Sequence, residues 1–207
     1  MRTSSNAQSG ISLIEAIVFI LIISIGLSAI VSVYLYTTRN SANTMLSLKT
    51  VELSQALMDE ILSKGYDENT PTGGGCVGSG ANTACNSSTA FSTFGIDGAE
   101  TRPNFNDVDD YNDIAYCGAG VTTPDANCTS CTNMLDGSGN DISANYSGYS
   151  VCIRVTFAGN EMNNVALGAG TTNPSFNVAT NDAKRIDIIL RDPLDSVLTF
   201  TAYKANF

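Results

Sequence analysis

Apolar residues follow three different patterns along this chain, and the first pattern predicts a membrane helix. From Ile11 to about Tyr36 the apolar residues form an almost continuous run, and no charged residue occurs between Ala16 and Tyr36. As a helix, that uncharged stretch is about 32 Å long, which is enough to cross the hydrocarbon core of a bilayer. The pattern therefore predicts a membrane-spanning helix over residues 11–36.

The second pattern predicts that the same helix continues beyond the membrane over residues 37–65. Its apolar positions recur at intervals of seven, four and four residues, which places them on one helical face: Leu46, Leu53, Leu57 and Ile61. Gly65 is the kind of residue that commonly follows the end of a helix. We expect one helix from about Ser12 to Ser63, apolar on all sides in its first half and amphipathic in its second.

The third pattern is an alternation of apolar and polar residues, which predicts strands over residues 149–157, 185–191 and 197–203. Between the last two strands, residues 192–195 read Asp-Pro-Leu-Asp, and Pro193 suits the second position of a turn. We expect an antiparallel meander within a C-terminal sheet region, residues 149–207. Packing of this meander on the apolar stripe of the helix would give an α+β fold.

Residues 66–148 show little apolar periodicity and are rich in Gly, Asn, Ser, Thr and Asp. Because a structureless segment of that length is uncommon in a compact domain, short strands and turns are expected, with residues 89–94 and 108–116 as candidates. Cys76 and Cys85 flank a short loop and are the best local disulfide pair, while the other pairings stay open. All six cysteines follow the membrane helix, and an even number in an exported domain favours disulfides: Cys76, Cys85, Cys117, Cys128, Cys131 and Cys152.

Length and charge exclude several function classes. The 207 residues suit one membrane helix plus one modest domain, and the formal net charge of −10 argues against nucleic acid as a partner, since phosphate binding needs clustered Lys and Arg. There is no histidine, and no serine lies in a nucleophile elbow, so we expect no enzyme activity. Arg2 is the one charged side chain before the apolar run, which predicts a cytoplasmic N-terminus and an exported C-terminal domain.

Two polar stretches raise the question of a metal ion. Turn-forming Asp and Asn residues in a solvated loop explain both stretches as well as metal binding does. Residues 136–141, Asp-Gly-Ser-Gly-Asn-Asp, lack the alternate acids and the closing glutamate of an EF-hand. The other stretch contains four aspartates at short spacing, the oxygen ligands that Ca²⁺ prefers: Asp107, Asp109, Asp110 and Asp113. Apart from calcium there, no cofactor is expected.

Cys128 and Cys131 form a C-x-x-C sequence, for which redox chemistry and zinc binding are the alternatives to structural disulfides. Zinc would need two further ligands, and only other cysteines are available for that role because histidine is absent. A redox motif would normally open a helix in a βαβ unit, whereas this one lies among polar turn residues. The sequence therefore favours structural disulfides.

The residues at the N-terminal end of the predicted membrane helix resemble the prepilin motif of type IV pilins and type II secretion pseudopilins, Gly-Phe-Thr-Leu-Ile-Glu. Ile11 stands where the family has Phe, and Ser12 stands where it has Thr. A secretory signal peptide has a shorter apolar run and is cut after it, not before it. The sequence that carries the resemblance is Gly10-Ile11-Ser12-Leu13-Ile14-Glu15.

The resemblance implies a route of processing and assembly. A prepilin peptidase would cut between Gly10 and Ile11, removing residues 1–10 as a leader, and would methylate the amine of Ile11. The protein would reside in the inner membrane before assembly, with its C-terminal domain in the periplasm. In a filament, Glu15 would face the N-terminal amine of a neighbouring pilin. The implied fold is a long N-terminal helix packed on an antiparallel sheet.

Further stretches resemble the D-type minor pilins of mannose-sensitive haemagglutinin (MSHA) pili, which implies a minor subunit of a surface-attachment pilus. Three alternatives stay open: a minor pseudopilin of a type II secretion system, a pilus-tip adhesin whose residues 66–148 bind a ligand, and an anchored monomer unrelated to filaments. The sequences that carry this resemblance are Glu52 to Leu62, Phe94 to Arg102, Asp107 to Tyr111 and Ala202 to Phe207.

Overall fold

The computed structural model describes residues 12–78, 89–124, 128–159 and 182–206, and it has the predicted α+β architecture. A single long helix, α1, runs from Leu13 to Leu62, within one residue of its predicted bounds at each end. Contacts divide the chain into two compact units between Met45 and Leu46. The strands are β1 (Ile114–Cys117), β2 (Thr132–Asn133), β3 (Ser150–Phe157), β4 (Ala183–Arg191) and β5 (Val197–Ala205).

The five described strands form one sheet in the order β2-β1-β3-β4-β5. The predicted meander is confirmed, since β3 pairs with β4 and β4 with β5, both antiparallel. Strand β1 adds antiparallel to β3, and β2 adds parallel to β1. The sheet therefore takes two short strands from the region of low periodicity. Residues 108–116 contain the start of β1, whereas residues 89–94 contribute no strand.

The core of the second unit lies between one face of the sheet and the apolar stripe of α1. Leu53, Leu57 and Ile61 are buried there, as predicted, and Leu46 packs against the same cluster. Each fully buried Leu or Ile side chain contributes about 1.5–3 kcal/mol. Alternate residues of the two central strands complete the cluster: Val151, Ile153 and Val155 from β3, and Ile186, Ile188 and Leu190 from β4.

The C-terminal end of α1 is closed by a residue from the far edge of the sheet. The last turn of α1 contains no basic residue. Instead, Lys204 in β5 donates hydrogen bonds to the carbonyl oxygens of Leu62, at 2.8 Å, and of Lys64. An ammonium group at this end complements the helix dipole and satisfies carbonyl groups that have no partner within the helix. The chain departs from the helix at Gly65, whose N–H donates to the carbonyl oxygen of Asn106, at 2.8 Å.

Candidate functional site

The first part of α1 presents apolar side chains on every side. All described side chains from Ser12 to Met45 are exposed, and α1 is the one helix among the described residues that is long and apolar enough to cross a membrane. Glu15 lies in its first turn, where the helix dipole favours an acidic residue. Gly10 and Ile11, the predicted cleavage and methylation residues, lie outside the described residues. The chain therefore carries a candidate membrane span with one carboxylate near its start.

Polar residues within this span satisfy their own hydrogen bonds. The hydroxyl groups of Ser24 and Ser32 donate to the carbonyl oxygens four residues earlier, at 2.7 and 2.8 Å, and that of Ser28 donates to Ile25, at 2.8 Å. A Cβ atom built on Gly26 would meet no heavy atom within 4 Å. Small residues whose polar groups are already satisfied allow another helix to approach closely in a nonpolar setting.

A polar network in the second unit joins α1 to the loops that follow it. The guanidinium of Arg102 binds both carboxylate oxygens of Glu60, at 2.9 and 2.6 Å, and also donates to the carbonyl oxygen of Leu135. The hydroxyl of Tyr111 donates to Glu60 at 2.9 Å. Burial acts to raise the pKa of Glu60, but Arg102 and Tyr111 outweigh it, so the pKa is lowered. The groups of this network satisfy one another, which gives the network a structural role in holding α1 to the loops.

Lys184 is a fully buried cation at the start of β4. Its ammonium group pairs with Asp109 and donates to the carbonyl oxygen of Tyr66, at 2.5 Å. Aromatic rings surround it, with centroids at 4.5 Å for Tyr66, 5.5 Å for Phe94 and 5.7 Å for Phe157. The ion pair, the hydrogen bond and the cation–π contacts together offset the cost of burying the charge.

The four aspartates predicted as calcium ligands do not form one site, which corrects the sequence-based set. Residues 109–111 form a short 3₁₀ turn, in which successive side chains point about 120° apart, so Asp109 faces Lys184 and Asp110 does not. Asp113 has a positive φ of 56° and is exposed, and its carboxylate lies 3.4 Å from Arg154. Asp107 and Asp110 remain together, because each accepts a backbone N–H of the other, at 3.1 and 3.3 Å.

The second acidic stretch forms a hydrogen-bonded turn. The Oδ1 atom of Asp136 accepts the N–H groups of Ser138, at 2.9 Å, and Asn140, at 2.8 Å. Asp141 likewise accepts the N–H of Ser143, at 2.8 Å. Hydrogen bonds, first from the side chain and backbone of Asn140, lower the pKa of Asp136. The turn interpretation accounts for these residues.

The structure confirms disulfides over a zinc or redox site for the described cysteines. The two residues of the C-x-x-C sequence are not bonded to each other: Cys117 pairs with Cys131, and Cys128 pairs with Cys152. The first bond joins β1 to the residue before β2, and the second joins the same loop to β3. These two crosslinks hold residues 117–152 against the sheet, where apolar side chains are few.

Cys76 is also disulfide-bonded. Its predicted partner, Cys85, lies outside the described residues, so that pairing stays a prediction. No described cysteine carries a free thiol.

Three sets of polar residues that take part in these interactions escaped the sequence analysis. The burial of Lys184 could have been predicted, because Lys184 lies two residues before Ile186 and so shares the inward face of β4 with Ile186, Ile188 and Leu190. The partial burial of Glu60 could also have been predicted, since Glu60 is next to Ile61 of the apolar stripe. The third set is acidic and comes from two loops, which no spacing rule connects to each other: Glu68, Asp97 and Glu100.

No protein-family model, no curated protein and no solved structure matches this chain. The architecture, a long N-terminal helix whose second half packs on a disulfide-containing sheet, is compatible with a pilin-like fold.

Proposed function

We propose that the protein is a minor subunit of a type IV pilus of the MSHA class, assembled through α1 and contributing to pilus biogenesis and surface attachment. The observation that carries the proposal is the first part of α1, whose side chains are exposed and apolar on every side with Glu15 in the first turn. The prepilin motif at Gly10 to Glu15 and the compact α+β unit after Met45 support it. In this proposal the helix lies in the inner membrane first and in the filament later.

Glu15 is the residue that assembly would use. A charged carboxylate in the apolar layer is costly to insert, by about 2.5 kcal/mol or more. The methylated amine of Ile11 on a neighbouring subunit would carry the opposite charge at nearly the same depth, since the two residues are four apart. Two such charges attract strongly in a low-dielectric core, and each offsets the desolvation of the other. The pair would therefore favour docking in a filament over a solitary helix in lipid.

The test compares how well the wild-type chain and its Glu15 variants are incorporated into sheared pili. Glu15→Gln should be cleaved and should reside in the inner membrane, yet it should be depleted from pili at least ~10-fold, because removing one partner of a buried pair costs about 3–5 kcal/mol. Glu15→Asp should be intermediate because its side chain is shorter. The matched control is Glu52→Gln, which removes an exposed carboxylate from the same helix and should incorporate normally.

Mass spectrometry of the sheared fraction gives the ratio of this subunit to the major pilin. Absence of the wild-type chain from pili would overturn the proposed function itself. Equal incorporation of wild type and Glu15→Gln would overturn the charge-pairing mechanism and leave helix packing as the basis of assembly.

A further inference from the structure

Five carboxylates converge where the loop after α1 meets the loops that precede β1. This carboxylate cluster consists of Glu68, Asp97, Glu100, Asp107 and Asp110. One oxygen atom from each of Glu68, Asp97 and Asp107 lies within 4.8 Å of the others. Ca²⁺ binds oxygen at 2.3–2.6 Å, so two oxygens on opposite sides of one ion are roughly 5 Å apart. The three oxygen atoms therefore fit within the coordination shell of a single calcium ion.

Asp110 adds a buried carboxylate that contacts Asp107. Its side chain is 1% exposed, and its Oδ2 atom accepts the N–H groups of Asn106, at 3.0 Å, and Asp107, at 3.3 Å. Its Oδ1 atom is buried and has no hydrogen-bond partner among the described residues. The Oε2 atom of Glu100 is also buried and receives no N–H or O–H donor from the described residues, and the carboxyl groups of Glu100 and Asp110 lie against each other. Buried carboxylate oxygens without donors are costly unless they are paired or bind a metal.

Among the described residues, no ion pair joins a basic side chain to any of these five carboxylates. The buried ammonium group of Lys184 is engaged by Asp109 and by the carbonyl oxygen of Tyr66. Asp97 is half-buried and Asp107 is buried, so water screens the repulsion between these carboxylates only in part. A bound divalent cation would reduce the electrostatic repulsion between carboxylates crowded in this way.

We propose that the carboxylate cluster binds one Ca²⁺ ion, with Glu68, Asp97 and Asp107 as ligands and the Oδ1 atom of Asp110 and the Oε2 atom of Glu100 turned toward the ion. The ion would tie the loop that follows α1 to the loops of residues 97–110. Mg²⁺ fits less well, because its shorter bonds of about 2.0–2.1 Å and strict octahedral geometry demand a smaller, more regular cage. This site is independent of the proposed role in a pilus.

The experiment uses the full-length chain in detergent, stripped of metal with a chelator and titrated with CaCl₂ in a calorimeter. One Ca²⁺ should bind per chain with a dissociation constant of about 10⁻³ M or tighter, the range of extracellular calcium sites. Saturating Ca²⁺ should raise the melting temperature, and an equal concentration of Mg²⁺ should raise it less. Circular dichroism spectra of each variant below, compared with that of the wild-type chain, check that the variant is folded.

Two matched variants separate this site from a general effect of acidity. Asp97→Asn changes a half-buried ligand and should weaken Ca²⁺ binding at least ~10-fold, since affinity depends on the number of charged ligands. Asp113→Asn removes an equal charge from the exposed aspartate that pairs with Arg154, and it should bind Ca²⁺ like wild type. Glu68→Gln, at an exposed ligand, is a second loss variant should Asp97→Asn fold poorly.

Three results would overturn the proposal. The first is no calcium binding by the wild-type chain at about 10 mM, well above the weakest extracellular sites. The second is equal affinity in the Asp97→Asn, Glu68→Gln and Asp113→Asn variants. The third is equal stabilisation by Mg²⁺ and Ca²⁺, which would indicate screening of surface charge.

Discussion

Arg102 binds both carboxylate oxygens of Glu60 and thereby connects the last turns of α1 to a loop 42 residues away. The pair is well shielded, with 5% of the Arg102 side chain and 19% of the Glu60 side chain exposed. The Arg102 guanidinium also lies 4.9 Å from the ring centroid of Tyr116 in β1. Helix, loop and sheet therefore meet at one ion pair, and its removal should affect all three.

Glu60→Gln should lower the free energy of unfolding at pH 7 by about 3 kcal/mol, because Arg102 keeps its charge and loses its partner. The pKa of Glu60 is lowered from 4.5, so the stability that the pair supplies is present above pH 4.5 and is lost as the pH falls through the folded-state pKa. The difference between variant and wild type should therefore shrink in acid. Urea unfolding followed by circular dichroism, at pH 7 and at an acid pH below the folded-state pKa of Glu60, measures this difference.

The control for this prediction is Glu52→Gln, an exposed change on the same helix that should alter stability by less than about 0.5 kcal/mol. A constant difference between Glu60→Gln and wild type across the acid range would show that the loss arises from packing and not from the charge.

Lys184→Met should destabilise the second unit by about 3–5 kcal/mol, because it leaves the carboxylate of Asp109 buried without its partner. The double variant Lys184→Met with Asp109→Asn removes both charges and should recover part of that loss. A double-mutant cycle from urea unfolding gives the coupling energy. Additive losses in the double variant would mean that the aromatic rings around Lys184, and not the ion pair, determine its contribution.

The disulfide pairing predicts which thiol each cysteine variant releases. Cys131→Ser should expose one free thiol, on Cys117, and Cys128→Ser should expose one on Cys152. Alkylation followed by peptide mass mapping identifies the modified residue. Loss of the Cys117–Cys131 bond, with a sequence separation of 14, should lower stability by about 3 kcal/mol in the loop-entropy account. Release of Cys128 in the Cys131→Ser variant would instead indicate a bond within the C-x-x-C sequence.

Gly10→Val should retain the leader, because a branched side chain would not fit a peptidase subsite that accepts glycine. Cells that contain the prepilin peptidase should accumulate only the precursor, about ten residues longer on a gel than the wild-type product. The conservative control is Gly10→Ala, which should be cleaved at least in part. A mature-sized Gly10→Val band would contradict cleavage after this residue.

The parts of the fold that the sequence predicts are those where burial imposes a period. The helical spacing of Leu53, Leu57 and Ile61 and the alternation in β3 and β4 follow directly from packing α1 on a sheet. Strands β1 and β2 have four and two residues, too few for alternation to show. Pairing of β1 with β3 and the two disulfides fix the places of these strands in the sheet. The spacing of the cysteines along the sequence does not determine which of them pair.

The candidate metal site shows where proximity in sequence misleads. Asp107, Asp109, Asp110 and Asp113 are close along the chain, yet a 3₁₀ turn and a positive φ send two of them to basic partners elsewhere. The residues that do converge with Asp107 and Asp110 come from two other loops, and only the folded backbone brings them together. Charged ligands in loops carry no periodicity, so a sequence alone does not reveal such a set.

The contact of Lys204 with the end of α1 has a consequence for the timing of folding in the cell. Lys204 and Leu62 are 142 residues apart, and ribosomes add about 5–20 residues per second, so roughly 7–28 s pass between the synthesis of the two residues. The strands whose side chains cover the apolar stripe, β3 and β4, are made within that interval, whereas the partner of the helix end is made after them. Capping of the C-terminal end of α1 is therefore among the last steps by which the described part of the chain completes its fold.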